Sequence, residues 1–423
     1  MTSTQPKGPG VGRRALVAAT LAHFTNDGTS MMFTVLIVYY LSLPISLAYL
    51  GAAAAASNLV SGLVAERIGS WADNSGRRGM IMAAGICLTG VATLIFAASF
   101  SMPQSAATTL LPGVIILGVG LAFYHPLGGS IIAFASEGKS LPRQMGINGS
   151  FGSVGRAFFP VLIVTMVGAF GAPAGLLALG TGVLAAGGVI FWLSRGIDRF
   201  MVGERQKRAP SGRSLRPYRR FVVALTAVFF VDAVFASGIT TYIPSYYEQV
   251  YGSAGTAGLI TSIILLAPIL GQPVQGYLAS RLGSRRVLQI TVTSSAAVFA
   301  LFLSFQNVVL EVLCLAVFAF FYYTGFPVIL GYASLVTPRE SITRVNAIVW
   351  GLGSTMGTAV GSALGGSLGE AYGFHTSFAI SWGFGLLAVA LLPLIPGKVD
   401  QRPESGASML AVAAASELSQ TGN

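Results

Sequence analysis

Twelve apolar runs divide this chain of 423 residues, and its basic residues are sorted between alternate connectors. Of 25 Lys and Arg, only Arg156 lies deep inside an apolar run, Arg286 and Arg344 standing at the first position of theirs. The connectors near residues 42–46, 101–108, 170–173, 247–256, 304–308 and 371–376 carry none, and the alternate connectors carry the rest. A run of about 20 apolar residues crosses a ~30 Å hydrocarbon core as a helix. A bilayer holds cationic loops on its cytoplasmic side, so the sorting reports orientation. The sequence therefore predicts an all-α polytopic membrane protein with both termini cytoplasmic. The expected spans are 15–41, 46–66, 80–100, 109–136, 144–169, 174–194, 221–246, 255–279, 286–305, 308–336, 344–370 and 375–396.

Composition enters here as an exclusion. The chain is 53% hydrophobic and 9% charged, against about 25% charged in a soluble domain. Its net charge of +11 is spread over membrane-proximal connectors, where it sets topology and meets anionic lipid heads. A nucleic-acid partner is not expected. Residues 1–14 read as a polar cytoplasmic tail before a retained first helix, not as a cleaved signal, and 397–423 as a second tail. Cys87 and Cys314 stand alone in apolar runs, so neither a disulfide framework nor a metal cluster is expected, and nothing calls for a cofactor. The Asn148-Gly-Ser sequon lies within a predicted span.

Residues 195–220 form one long basic linker and separate a six-span half, 15–194, from a second, 221–396. The halves match weakly but in order. A shift of 205 lays Asp27 on Asp232, and one of 207 lays Gly69, Ala72, Gly76 and Arg78 on Gly276, Ala279, Gly283 and Arg285. A shift of 201 lays Pro126 on Pro327, Arg143 on Arg344 and Gly152-Ser153 on Gly353-Ser354. Duplicated six-helix units with a site between them near the midplane are a known transporter plan.

The connector Gly69-Ser-Trp-Ala-Asp73-Asn-Ser-Gly76-Arg77-Arg78 resembles the loop signature of the major facilitator superfamily, with Trp71 and Asn74 as departures. Its second copy, from Gly276 to Arg286, carries Ser280 in place of the Asp. The resemblance covers about residues 13–397 and implies two pseudo-symmetric six-helix bundles acting as a monomer. It also implies a cytoplasmic gate made by Gly69, Asp73, Gly76, Arg77 and Arg78. Leu21-Ala-His23-x-x-Asn26-Asp27, Tyr124-His125-Pro126 and Gln272-Pro273 are similar to the fosmidomycin-resistance-type branch of drug exporters, although Arg156 has no counterpart there.

Ionisable groups within a bilayer are costly and are functional candidates by default. Asp27 lies thirteen residues beyond Arg14, Arg156 thirteen beyond Arg143, Asp232 twelve beyond Arg220 and His125 fourteen before Lys139. At 1.5 Å per residue these depths are all ~18–21 Å, one slab near mid-membrane. Asp27, Asp232 and His125 are the candidates for proton coupling. Arg156, with its planar fork, is a candidate anchor for an anionic or zwitterionic substrate, or else the permanent partner of Asp27. His125 is alternatively a hydrogen-bond donor at a kink made by Pro126. His23 sits one turn before Asp27 on the same face. Asn26, Asn148, Asn346, Trp350 and Gln272 are candidate polar or aromatic contacts in a cavity, or else helix-packing bonds. His23, Tyr124 and Phe326 are further candidate substrate contacts; Tyr124 and Phe326, with Tyr322 and Tyr323, read otherwise as core or cavity wall.

Gly353, Gly357, Gly361, Gly365 and Gly369 form a stripe at four-residue spacing, and Gly51 opens a small-residue stretch in the second span. Small stripes let membrane helices approach closely. The two are expected to face one another and close the extracytoplasmic gate. No P-loop is present, so ATP hydrolysis is not expected. The sequence thus points to a secondary transporter working by alternating access. A proton-coupled exporter is the first reading and an uptake symporter of a small anionic metabolite the second. A non-transporting receptor or an intramembrane enzyme is a distant third. Substrate identity is not legible in the chain.

Overall fold

The computed structural model describes residues 10–136, 141–197, 215–337 and 342–396. Helices account for nearly all of these, and there is no strand among them. In lipid a helix satisfies its own backbone polar groups, which is why apolar runs of this length fold this way. Ten described helices are long and apolar enough to cross a membrane. One of them, within Leu141–Ser194, holds two predicted spans, because the chain turns at Gly171 (φ 77°, ψ 160°) and brings Gly175 back against the Met166 carbonyl. The first helix, Val11–Tyr40, is 30 residues long but more polar, since it carries His23, Asn26 and Asp27. Together these elements match the twelve expected spans.

Several spans differ from their apolar runs. The second, Leu47–Ser75, continues nine residues past its predicted end, because a helix needs no apolar residues to persist; it stops at Gly76, whose φ of 64° is left-handed. Its repeat partner Gly283 (φ 83°) ends the eighth span, Ala254–Leu282. The fourth span is broken into Ala106–Leu121 and Tyr124–Ala135. The seventh is Arg219–Thr240 followed by Ile243–Tyr251, with Pro244 in the first turn of the second piece. The eleventh runs Ile342–Ile348, then a π-helical stretch Val349–Thr355, then Met356–Tyr372. Of the expected linker, residues 198–214 lie outside the described residues, and Arg219 already begins the seventh span.

The packing repeats. In the first half, span two packs on four, three on four, one on five and three on six; in the second, eight packs on ten, nine on ten, seven on eleven and nine on twelve. Each pair in one half is the other's pair advanced by six. The halves meet through two large contacts, span two with eleven and span five with eight, which the same operation exchanges. One face of the molecule holds the connectors at Gly76, Arg195 and Gly283 and is called the basic face below. The other holds those at Leu43, Gly171, Gly252 and Gly373 and is called the neutral face.

Of the five-glycine stripe of span eleven only Gly369 faces span two as expected, against Leu47. Added Cβ atoms at Gly353, Gly357, Gly361 and Gly365 would strike Phe229, Phe230, Val234 and Gly238 of span seven, within the same half. Span eleven is small on more than one face, and spacing alone does not say which neighbour takes which face. The contact with span two also runs through Thr355, which lies against Gly62, and through Ser362 and Gly366, which lie against Gly51. There Tyr242 donates its hydroxyl to the Ser362 carbonyl, and Thr241 Oγ1 lies 3.1 Å from Ser362 Oγ. At the rim of the neutral face, Glu370 Oε2 accepts the Ala48 N–H across the two halves at 2.7 Å.

Candidate functional site

Asp27 is the centre of a charged cluster buried in the first half. It is 3% exposed, in the middle of the helix Val11–Tyr40. Close approach of spans one and five brings Arg156 to it. Glycine permits that approach: a Cβ at Gly155 would collide with the Phe24 carbonyl, and one at Gly152 with His23 and Asp27 themselves. Arg156 Nη1 donates to Asp27 Oδ2 at 2.5 Å, and Arg156 Nη2 donates to Ser153 Oγ at 3.1 Å. His23 Nε2 lies 3.2 Å from the same Oδ2. On the other oxygen, Asn26 Nδ2 donates at 3.2 Å and His125 Nε2 stands at 3.8 Å.

The fourth span supplies its part through its break. Pro126 has no N–H for the carbonyl one turn earlier, so the helix stops at Leu121 and restarts at Tyr124. The restart turns Tyr124 inward, 3% exposed, and leaves the His125 side chain 49% exposed. Tyr124 donates its hydroxyl to Asn148 Oδ1 at 2.7 Å, and His23 Nδ1 lies 2.7 Å from that same oxygen. The His23 ring stacks on Tyr124 with centroids 4.4 Å apart. From the second half, Tyr323 presents its ring to the Arg156 guanidinium at 5.1 Å, and Trp350 approaches His125 at 5.9 Å. A cation over an aromatic face is attracted by the ring quadrupole, so the cluster bridges the halves.

Asp27, Arg156, His23, His125, Asn26, Asn148, Tyr124 and Trp350 are thus brought together. Asp232 is not among them. It is buried in span seven within electrostatic reach of the Tyr322 hydroxyl, and its Oδ1 has no hydrogen-bond partner among the described residues. Asn346 Oδ1 is likewise unpartnered, and Gln272 Nε2 donates to the Tyr323 carbonyl at 3.4 Å. The side chains of Phe326 and Asp73 lie outside the described residues. Gly69 lies against Pro126, and Arg77 opens the third span, Arg78–Ser101. Among the described residues no group of three or more His, Cys, Asp or Glu is placed to hold a metal.

A cavity of about 180 Å³ lies between the halves, on the neutral side of Asp27. Ser30, Thr34, Asn58, Ser237, Thr241 and Thr358 line it, with Tyr322 and Tyr323 as its aromatic wall. Sequence reasoning missed these hydroxyls, because each alone reads as a helix-packing residue. One signal was available: a shift of 207 lays Ser30 on Ser237 and Thr34 on Thr241.

Two pseudo-symmetric six-helix bundles around a buried polar cavity define a membrane transporter. The chain belongs to the Major Facilitator Superfamily, whose family model matches residues 18–254 and 225–419. A search of curated proteins gives no match. Solved structures share the fold. A bacterial homologue of the human lysosomal transporter Spinster, inward-facing and occupied, aligns with TM-score 0.70 at 16% identity over 92% of this chain and 97% of that one. The nucleoside transporter NupG aligns with TM-score 0.69 at 16% identity, over 90% and 100%. A bacterial homologue of the iron transporter ferroportin, inward-facing, aligns with TM-score 0.70 at 14% identity, over 93% and 100%.

Proposed function

We propose that the protein is a proton-coupled exporter of a small zwitterionic or anionic drug-like compound, working by alternating access as a monomer in the cell membrane. The basic face is cytoplasmic, because cationic connectors are retained there. One observation carries the reading: the two buried carboxylates, Asp27 and Asp232, have opposite surroundings. Asp27 is saturated by Arg156, His23, Asn26 and His125. Asp232 has an empty oxygen. Burying an unpaired charge costs several kcal/mol, so a proton or a cationic group must complete Asp232. A zwitterion whose ammonium goes to Asp232 and whose anionic end goes to Arg156 competes with the proton, and competition for one site is the basis of antiport. An inward proton supplies ~2.3 kcal/mol per 100 mV.

The Asp27–Arg156 bond supports a second reading. A purely anionic substrate that takes Arg156 leaves Asp27 free to accept a proton, so the two travel together as in a symporter. Flux in proteoliposomes under an imposed pH gradient separates them. Antiport predicts that interior acid drives accumulation, and symport predicts that exterior acid does. Accumulation indifferent to the gradient contradicts proton coupling in either form.

A further inference from the structure

Span eleven is wound unlike its repeat counterpart. Its stretch Val349–Thr355 is π-helical, and the Met356 N–H reaches back five residues to the Gly351 carbonyl. A shift of 201 lays this stretch on Asn148–Val154 of span five, which is α-helical there. The fold therefore does not require the wide turn; the residues of span eleven make it. Thr355 Oγ1 donates to the Trp350 carbonyl at 3.2 Å, also five residues back. In an α-helix a threonine hydroxyl bonds the carbonyl three or four residues back, as Thr324 and Thr337 do here. The residue laid on Thr355 is Val154, the same shape without the hydroxyl. π-helical turns are rare and gather at functional sites.

Both ends of this turn touch the other half. At its start Trp350 lies beside His125, ring centroids 5.9 Å apart, and His125 Nε2 stands 3.8 Å from Asp27 Oδ1. At its end the Thr355 methyl fills the space that a Cβ at Gly62 of span two would take. We infer that Thr355 is a positioning residue for the buried charged cluster. Its hydroxyl holds the wide turn that sets Trp350 against His125, and its methyl ties that turn to the seating of span two on span eleven. When span two shifts, Gly62 leaves the methyl, Thr355 is free to rotate, and its hydroxyl releases the Trp350 carbonyl. Closing a turn from five residues to four rotates what precedes it about the helix axis, so Trp350 leaves His125. The His125 side chain, 49% exposed, is thus covered or uncovered with the packing of the halves. The purpose of this link rests on the alternating-access reading above; its geometry does not.

The chain has four tryptophans, so fluorine-19 NMR of the full-length protein labelled with 5-fluorotryptophan is tractable. Trp350→Phe identifies the Trp350 resonance by its loss. His125→Gln should shift that resonance in the wild-type background. In Thr355→Val the same change at His125 should leave it unmoved, whereas in Thr355→Ser, which keeps the hydroxyl, the shift should return. Gly62→Ala should displace the resonance in the wild type and leave it in place in Thr355→Ser, which lacks the methyl. No response to His125→Gln in the wild type, or an equal response in Thr355→Val, overturns the inference. Equal displacement by Gly62→Ala in wild type and Thr355→Ser overturns the tie to span two. The His125 comparison alone decides the hydroxyl's role should Gly62→Ala not fold. Proton-coupled flux with Trp350 indifferent to Thr355 sinks this inference and spares the transport reading; the expected shifts without proton-coupled flux do the reverse.

Discussion

Asp232 leaves one oxygen without a hydrogen-bond partner among the described residues, so on the proton-coupled reading its proton is the one a substrate displaces. Asp232→Asn should abolish gradient-driven flux while leaving downhill exchange within a few fold; unchanged gradient-driven flux would remove Asp232 from the coupling. Asp27 should behave differently, because it is one half of an ion pair. Breaking a buried pair from one side typically costs about 3–5 kcal/mol, since the remaining charge is stranded. Asp27→Asn should therefore lower thermal stability in detergent sharply, and adding Arg156→Gln should recover much of the loss. A double variant no more stable than the single would show that the pair contributes nothing. Much of this cluster was legible beforehand: helix rise placed Asp27, Arg156 and His125 at one depth, and the structure joins them. Depth does not give azimuth, however, which is why Asp232 stands apart. The cavity hydroxyls escaped for a different reason, since a Ser or Thr in a helix bonds its own backbone as readily as a ligand.

Among the elements, span eleven shows most clearly where sequence periodicity stops being informative. Its glycines were visible as a stripe, but only neighbours assign the stripe a partner, and the π-helical Val349–Thr355 rotates the faces on either side of it. The assignment has consequences. Gly361→Leu would wedge spans seven and eleven apart inside one half, and overpacking of that kind typically costs about 1–3 kcal/mol of stability. Gly366→Leu would instead wedge span two from span eleven, between the halves. It should raise cysteine labelling of residues near Thr241 from the neutral face, with a smaller loss of melting temperature. Equal labelling in the two variants would contradict the placement. Span ends were misjudged for a related reason. Apolar runs mark where lipid is, whereas Gly76, Gly171, Gly283 and Gly373, all at positive φ, mark where the backbone turns.

For the whole molecule, the two exchangeable contacts, two with eleven and five with eight, join the halves, and on the alternating-access reading they are the surfaces about which the halves rock. The twelve-span count and the duplication were legible because lipid imposes length and charge sorting imposes parity. Which interface is closed in this state was not, since that depends on small contacts such as Glu370. Its carboxylate accepts the Ala48 N–H at the start of span two, where a negative charge at a helix N-terminus is worth about 0.3–1 kcal/mol. Glu370→Gln should then shift the equilibrium two- to fivefold toward opening at the neutral face, read as a longer spin-label distance across that face; an unchanged distance distribution would dismiss the latch. In alternating access one buried cavity is reached in turn from each side. Ser30→Cys places a probe on its wall. In oriented vesicles a membrane-impermeant maleimide should modify this cysteine from either face, in proportions that change with pH. Modification from one face alone, at every pH and with substrate present or absent, would contradict alternating access.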